Sequence, residues 1–262
     1  MSGGADELKR SCSERFCTLH VDVTQDDSVQ KAKEFVEKNL GKCELWAIVN
    51  NAGIYKGVIA EYTKISDYQD VLDVNTLGQV RVTKAFLPLL RKSTGRVVNV
   101  NSIAGRISLA HITPYTMSKC AAVGFTECLR RELDAWRIKV ISIEPEFFKS
   151  PMNSYETMDK ALEINRKDAD TEAKSSQWQQ YEERVKPMTS IVSAISSPKM
   201  WRVTNAMEAA VSMEHPCSVY VPAGNVVKRI FWYIVEIIPA IFLDAGLRVI
   251  HGMAPFVGRL FK

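Results

Sequence analysis

The run Gly95–Lys119, GRVVNVNSIAGRISLAHITPYTMSK, constrains this chain more than any other stretch. Arg96–Val100 predicts a buried strand, and a hydroxyl, Ser102, follows its end. After a loop come Tyr115 and, four residues later, Lys119, a spacing of about one helical turn that puts both side chains on one face. A phenol beside an ammonium is a tuned acid/base: the ordinary tyrosine pKa is about 10, and a nearby positive charge lowers it. Ser102 can hold the oxygen of a reacting alcohol or carbonyl by a hydrogen bond. Alone, Tyr-x-x-x-Lys also describes a surface tyrosine beside a solvated lysine. The order strand, Ser, loop, Tyr-x-x-x-Lys is what gives the pair weight.

The rest of the chain reads as strands alternating with helices. Leu45–Val49 is a continuous apolar run, as expected of a strand covered on both faces, and Asn50-Asn51-Ala52-Gly53 follows it directly. Phe16–Val21 reads as a buried strand ending at Asp22, and Val29–Asn39 as an amphipathic helix. From the residues alone, Asp22 reads as a helix N-cap candidate. Ile65–Leu90 and Tyr115–Trp136 predict long helices, the first interrupted in composition by Asn75, a poor interior helix residue that calls for a reason. Lys139–Ile143 and Ser218–Val221 predict strands; Ala5–Ser11, residues 152–188 and Lys199–Met213 predict helices.

Together, NNAG at Asn50–Gly53 and the Ser102, Tyr115, Lys119 set resemble the short-chain dehydrogenase/reductase family, from about Phe16 to the C-terminus. The LWAIVNNAGI and EPEFFKSPM stretches are similar to its retinol and hydroxysteroid dehydrogenase branch. The resemblance implies an α/β fold, a doubly wound, Rossmann-like parallel sheet of order 3-2-1-4-5-6-7. It implies Tyr115 as general acid/base, Lys119 lowering its pKa and holding the nicotinamide ribose, Ser102 orienting the substrate oxygen, and Asn75 supporting a proton relay. It also implies cofactor contacts from Asp22, Val23, Asn51, Ala52, Gly53, Tyr115, Lys119, Pro145 and Ser150. The cofactor is NAD or NADP, with NAD preferred. The substrate is an apolar alcohol or ketone of retinoid or steroid type. Glu146 departs from the pattern: the family's usual glycine there lets the nicotinamide approach, and Glu146 places a negative charge in that region.

Composition narrows the alternatives. A chain of 262 residues, 46% hydrophobic, can bury one substantial core. The net charge of +4 is modest and scattered, which argues against nucleic-acid binding. Six cysteines form no CxxC and no metal-ligand spacing, so no metal is expected; Cys120 and Cys128 read as small core residues on a helix. No glycine-rich strand–turn–helix unit precedes Phe16. The expectation is therefore an N-terminally shortened dehydrogenase-like domain, residues 1–225, with the alternative of a non-catalytic form that acts as an interaction partner. Residues 226–262 form a hydrophobic segment. From Ile230 to Leu243 the only charge is Glu236 and Pro239 breaks the run, which fits an interfacial segment better than a span. A buried helix or dimer contact is the other reading. Membrane-surface association at the endoplasmic reticulum (alternatively a cytoplasmic protein) and a homodimer complete the expectations.

Overall fold

The computed structural model describes residues 10–13, 15–168, 185, 192–239, 241–242 and 244–245. Of the expected helix at Ala5–Ser11 only Arg10 and Ser11 lie among them, both helical, and most of residues 169–191 lie outside them. Four parallel strands form one sheet in the order β1 (Ala47–Asn50), β2 (Arg96–Val100), β3 (Lys139–Ile143), β4 (Val219–Tyr220). The register pairs Asn50 with Asn99 and Asn99 with Ser142, so the C-terminal ends of the first three strands are level. The strands read as apolar runs because both faces are covered: Val97, Val98, Ile141 and Ile143 are all but inaccessible.

The helices are α1 (Asp26–Asn39), α2 (Ile65–Leu72), α3 (Gly78–Ser93), α4 (Thr113–Leu133), α5 (Tyr155–Asp168), α6 (Trp201–Ser212) and α7 (Val226–Ile237). One core, with Val29, Phe86, Leu90, Val97, Leu129 and Val140, packs α1, α3 and α4 against the sheet. A second, with Val98, Ile141, Ile143 and Ala210, seats α6 on the other face.

Three expectations need correction. Phe16–Val21 is irregular, and Phe16, Leu19 and Val21 are exposed. Among the described residues β1 is paired on one side only, so this segment has no neighbouring ladder to satisfy its backbone, and an alternating pattern alone does not make a strand. It instead borders an apolar groove beside β1, with Val29, Phe35, Ile48 and Phe86. Second, Ile65–Leu90 is not one α-helix. A π-helical turn, Asp73–Leu77, separates α2 from α3 and carries Asn75. The extra residue frees local backbone groups, so Asn is tolerated there and its amide turns inward. Third, Cys120 and Cys128 are exposed, since they share the outward face of α4 with Met117, Ala121 and Gly124. All six cysteines are free thiols.

A run of buried side-chain hydrogen bonds crosses the sheet. Asn50 Nδ2 donates to Thr83 Oγ1 (3.1 Å) and to Asn99 Oδ1 (2.8 Å). Asn99 Nδ2 (2.9 Å) and Asn101 Nδ2 (3.1 Å) both donate to Thr126 Oγ1 on α4. Asn101 Nδ2 donates to Ser142 Oγ (2.9 Å), which donates to Glu144 Oε1 (2.7 Å). Asn99→Ala removes the middle of this run and strands partners on both sides. It is expected to cost about 3 kcal/mol of unfolding free energy in urea denaturation, against about 1 kcal/mol for a surface Asn→Ala.

Candidate active site

Ser102, Tyr115 and Lys119 line one pocket of about 250 Å³ above the C-terminal ends of β2 and β3. The sequence brings them together in steps. Strand β2 ends at Val100, and Ser102 caps a short 3-10 turn, its Oγ accepting from Ala104 N at 3.1 Å. Pro114 opens α4 without losing a needed donor, and α4 then carries Tyr115 and Lys119 on one face. Lys119 is 4% exposed, and its Nζ donates to Val100 O at 2.9 Å. That nitrogen lies 5.7 Å from the centre of the Tyr115 ring. The Ser102 hydroxyl is near enough to the Tyr115 hydroxyl to favour its ionised form.

The electrostatics differ from expectation. The Lys119 ammonium does not lower Tyr115; burial raises the phenol, and the nearby Ser102 hydroxyl opposes this only in part. Burial also pushes Lys119 down from 10.5 to about 8. Both groups are driven toward their neutral forms because the pocket is short of water to solvate charge.

Asn75, fully buried, accepts from Ile54 N (2.8 Å) and donates to Ile54 O (3.0 Å) and to Ser118 Oγ (3.0 Å). It thereby fixes the strand-to-loop turn after β1 against α4, one residue from Lys119. A methyl group on Gly53 would stand 3.5 Å from Asn75 Oδ1 and 4.0 Å from Lys119 Nζ, so these three are neighbours. Asn51, Gly53, Pro145 and Ser150 line the same pocket as the Ser102 hydroxyl. Asn51 and Ala52 also border the groove beside β1, together with Val23. Asp22 is not the cap residue of α1, a position held by Gln25. It forms a local turn, its Oδ1 accepting from Thr24 N (2.9 Å) and Thr24 Oγ1 (2.7 Å). Val23 seats against Gly78, where a Cβ would come within 2.8 Å of Val23 Cγ2. Arg81 secures the same segment by contacts with Val23 O (3.4 Å), Asp26 (3.1 Å) and Asp73 (2.7 Å).

Sequence reasoning missed Tyr55 and Arg106, and for Glu146 it missed the partners of the carboxylate. Tyr55 lines the pocket, its ring 6.2 Å from that of Tyr115 in an edge arrangement, and its buried hydroxyl has no partner among the described residues. Burial raises its pKa, so it is a donor at neutral pH. Arg106 binds Glu144 through Nε and Nη2, both at 2.9 Å, and Glu127 through Nη1 at 2.6 Å. Glu146 does not present its carboxylate freely to the pocket: Trp232 Nε1 donates to its Oε2 at 2.8 Å, and Gly224 N donates to its Oε1. The polar residues in IEPE, directly after an apolar strand, were the available signal for the last two. Tyr55 has none, because an exposed tyrosine after a turn is equally ordinary.

The short chain dehydrogenase family profile matches residues 2–161, more than half of the chain. The chain belongs to the short-chain dehydrogenase family. Its members are NAD(P)-dependent dehydrogenases. The chain is 34% identical to mouse retinol dehydrogenase 7 over 245 residues, covering 93% of this chain and 76% of that protein. It is 36% identical to mouse estradiol 17-beta-dehydrogenase 2 over 221 residues, covering 84% of this chain but only 58% of that protein. A solved short-chain dehydrogenase from Streptomyces avermitilis aligns with a TM-score of 0.67 over 96% of this chain and 86% of that one, at 20% identity, and shares the fold.

The residues present fit the nicotinamide and ribose half of a dinucleotide: a largely apolar pocket, a lysine and a tyrosine on one face, and a buried hydroxyl at Tyr55 with no partner among the described residues. Among the described residues no glycine-rich turn opens a helix toward this pocket to receive a pyrophosphate.

Lys119 gives a pH test. Its pKa is lowered on folding, so between about pH 8 and 10.5 the unfolded chain holds a proton that the folded chain lacks. Stability from this group therefore rises with pH through that window, and below it the buried charge costs on the order of 3 kcal/mol. Above about pH 10 the raised tyrosines act in the opposite sense. Thermal melts of Lys119→Met are expected to be stabilised at pH 7 and to lose the rise between pH 8 and 10.

Proposed function

We propose that this chain transfers hydride between a nicotinamide cofactor and the carbinol or carbonyl carbon of an apolar substrate of retinoid or steroid type. The observation that carries the reading is the meeting of Ser102, Tyr115 and Lys119 in a pocket otherwise walled by Ile103, Ile112, Phe147, Phe148 and Val203. An apolar wall with a few convergent polar groups suits a hydrophobic molecule that carries one reacting oxygen. The named activities of the two mammalian relatives, on retinol and on estradiol, support that substrate class.

The bound cofactor supplies the hydride acceptor or donor. The chain's own residues do the rest. Ser102 Oγ orients the substrate oxygen, and the Tyr115 hydroxyl exchanges its proton with that oxygen. Burial keeps the phenol protonated at neutral pH, so the state described here is poised to give a proton to a carbonyl, the reductive direction. Lys119 holds the ribose. Asn75 holds the turn that carries Gly53, and Tyr55 offers a second donor to ligand oxygen. Asn51, Ala52, Gly53, Pro145 and Ser150 border the cofactor, and Asp22 and Val23 its adenosine end. The Asp22 carboxylate at that end would repel a further phosphate, and NAD is proposed over NADP on that ground.

The proposal includes a membrane surface. Helix α7 exposes Val227, Ile230, Phe231, Ile234 and Ile237, a continuous apolar face with Arg229 at its start. No described helix is long and apolar enough to cross a membrane. Lying on the endoplasmic reticulum surface would give the pocket access to a partitioned substrate. The outward small-residue face of α4 is the proposed homodimer contact.

Fluorescence titration with NADH and NADPH, then assays with all-trans-retinol and estradiol, test the reading. Tyr115→Phe is expected to lower turnover at least about 100-fold while leaving cofactor affinity within about twofold. A Tyr115→Phe variant that keeps most of its rate would sink the assignment.

A further inference from the structure

Glu146 stood out in the sequence, and the structure shows where its charge is used. Its side chain is 1% exposed. Oε2 accepts from Trp232 Nε1 at 2.8 Å, Oε1 accepts from Gly224 N, and Lys228 Nζ stands 3.6 Å from Oε1. Gly224 permits the approach, since a Cβ there would come within 2.9 Å of Oε1. Trp232 and Lys228 belong to α7, so one buried carboxylate gathers three donors from the segment entering and forming that helix. Glu146 N in turn donates to Pro222 O at 3.1 Å.

The other side of this junction is the active-site pocket. Pro145, Glu146, Phe147 and Phe148 line it. Pro145 O accepts from Ile103 N at 3.1 Å, and Ile103 is the residue after Ser102. Val235 of α7 packs on Ile103 and Ile107, and the Phe147 and Trp232 rings lie 6.3 Å apart. Glu236 of α7 also reaches Arg106 at 4.0 Å, and Arg106 holds Glu144 just before this loop. The inner face of α7 is thus joined to the Ser102 turn by hydrogen bonds and by packing, while its outer face is apolar and exposed.

We propose that Glu146 is a positioning residue that couples helix α7 to the Ser102 turn, so that the seating of α7 sets the shape of the pocket wall. The inference deepens the site reading above: a helix that engages an apolar surface with one face would, through Glu146, act on the substrate pocket with the other. A carboxylate is suited to this because it accepts several hydrogen bonds at once, and in a dry setting each charge-assisted bond is strong. An amide in its place converts one acceptor into a donor that faces other donors.

Hydrogen–deuterium exchange of the full chain reads the coupling without any turnover. Glu146→Gln is expected to speed exchange about tenfold in residues 226–237, in residues 146–148 and in residues 103–107 together, with α1 unchanged. Trp232→Phe keeps the ring and loses only the N–H, so it serves if the first variant folds poorly; it is expected to move the same three segments by about threefold. The combined variant should exceed Glu146→Gln alone by little, as expected of partners in one contact. All-trans-retinol affinity, read by its fluorescence, should fall about threefold or more in both variants. Faster exchange confined to α7, or additive effects of the two changes, would overturn the coupling. If wild type binds no retinol but the three segments still move together, the substrate class is wrong and the coupling stands.

Discussion

The buried carboxamides at the ends of β1 and β2 hold the remaining structure in place. Asn50, Asn99 and Asn101 are inaccessible or nearly so, and each is a polar group in the middle of an apolar sheet. Such groups are tolerated only when bonded, and here every link has a donor matched to an acceptor. The run joins β1 to α3 through Thr83, β2 to α4 through Thr126, and β2 to β3 through Ser142. Thr126 accepts from two asparagines and donates to Ala122 O at 2.7 Å, which uses the full capacity of its hydroxyl. An apolar core fixes strands against helices with some freedom to slide. A directional network across three strands does not, and it lies at the sheet end that carries Ser102 and, through α4, Tyr115 and Lys119.

That rigidity explains how a lysine comes to be 4% exposed without a carboxylate beside it. Its Nζ donates to the Val100 carbonyl, and burial lowers its pKa with no acidic side chain among the described residues to oppose it. The buried acids are occupied elsewhere. Glu144 is bound by Arg106 and Ser142, and Glu146 by the α7 segment. The site therefore contains titratable groups without fixed counter-charges. A charged cofactor or a polar substrate oxygen entering it meets groups whose protonation answers to the ligand.

Much of this was legible in the sequence. Arg96–Val100 and Lys139–Ile143 occupy the residues their apolar runs indicated, since strands buried on both faces leave a continuous signal. The spacing of Tyr115 and Lys119 on one helix face, and the unusual Asn75, also pointed to real features. The failures share a cause. Phe16–Val21 has a strand's pattern, but pairing depends on a neighbour that a local pattern cannot report. The π-helical turn at Asp73–Leu77 arises from one extra residue, which shifts helical periodicity too little to be noticed among apolar residues. The pKa of Tyr115 was misjudged in direction because proximity to a cation is visible in spacing, whereas burial of both partners is a property of the whole fold.

Helix α7 had two competing readings, a core helix or an interfacial one, and the structure shows why neither suffices alone. Its apolar residues run nearly all round. Trp232 and Val235 pack on Ile103, Ile107 and Leu109. The opposite side, including Val227, Ile237 and Phe231, is more than half exposed. A helix with two apolar faces is held by whichever polar contacts fix its rotation. Here those contacts are few and charged: Trp232 and Lys228 to Glu146, and Glu236 near Arg106. Hydrophobic burial supplies most of the attraction but little orientation, because either face could be turned inward at similar gain. The buried carboxylate breaks that symmetry. Its position in the loop between β3 and the pocket wall means that the orientation of α7 and the shape of the site cannot be chosen independently.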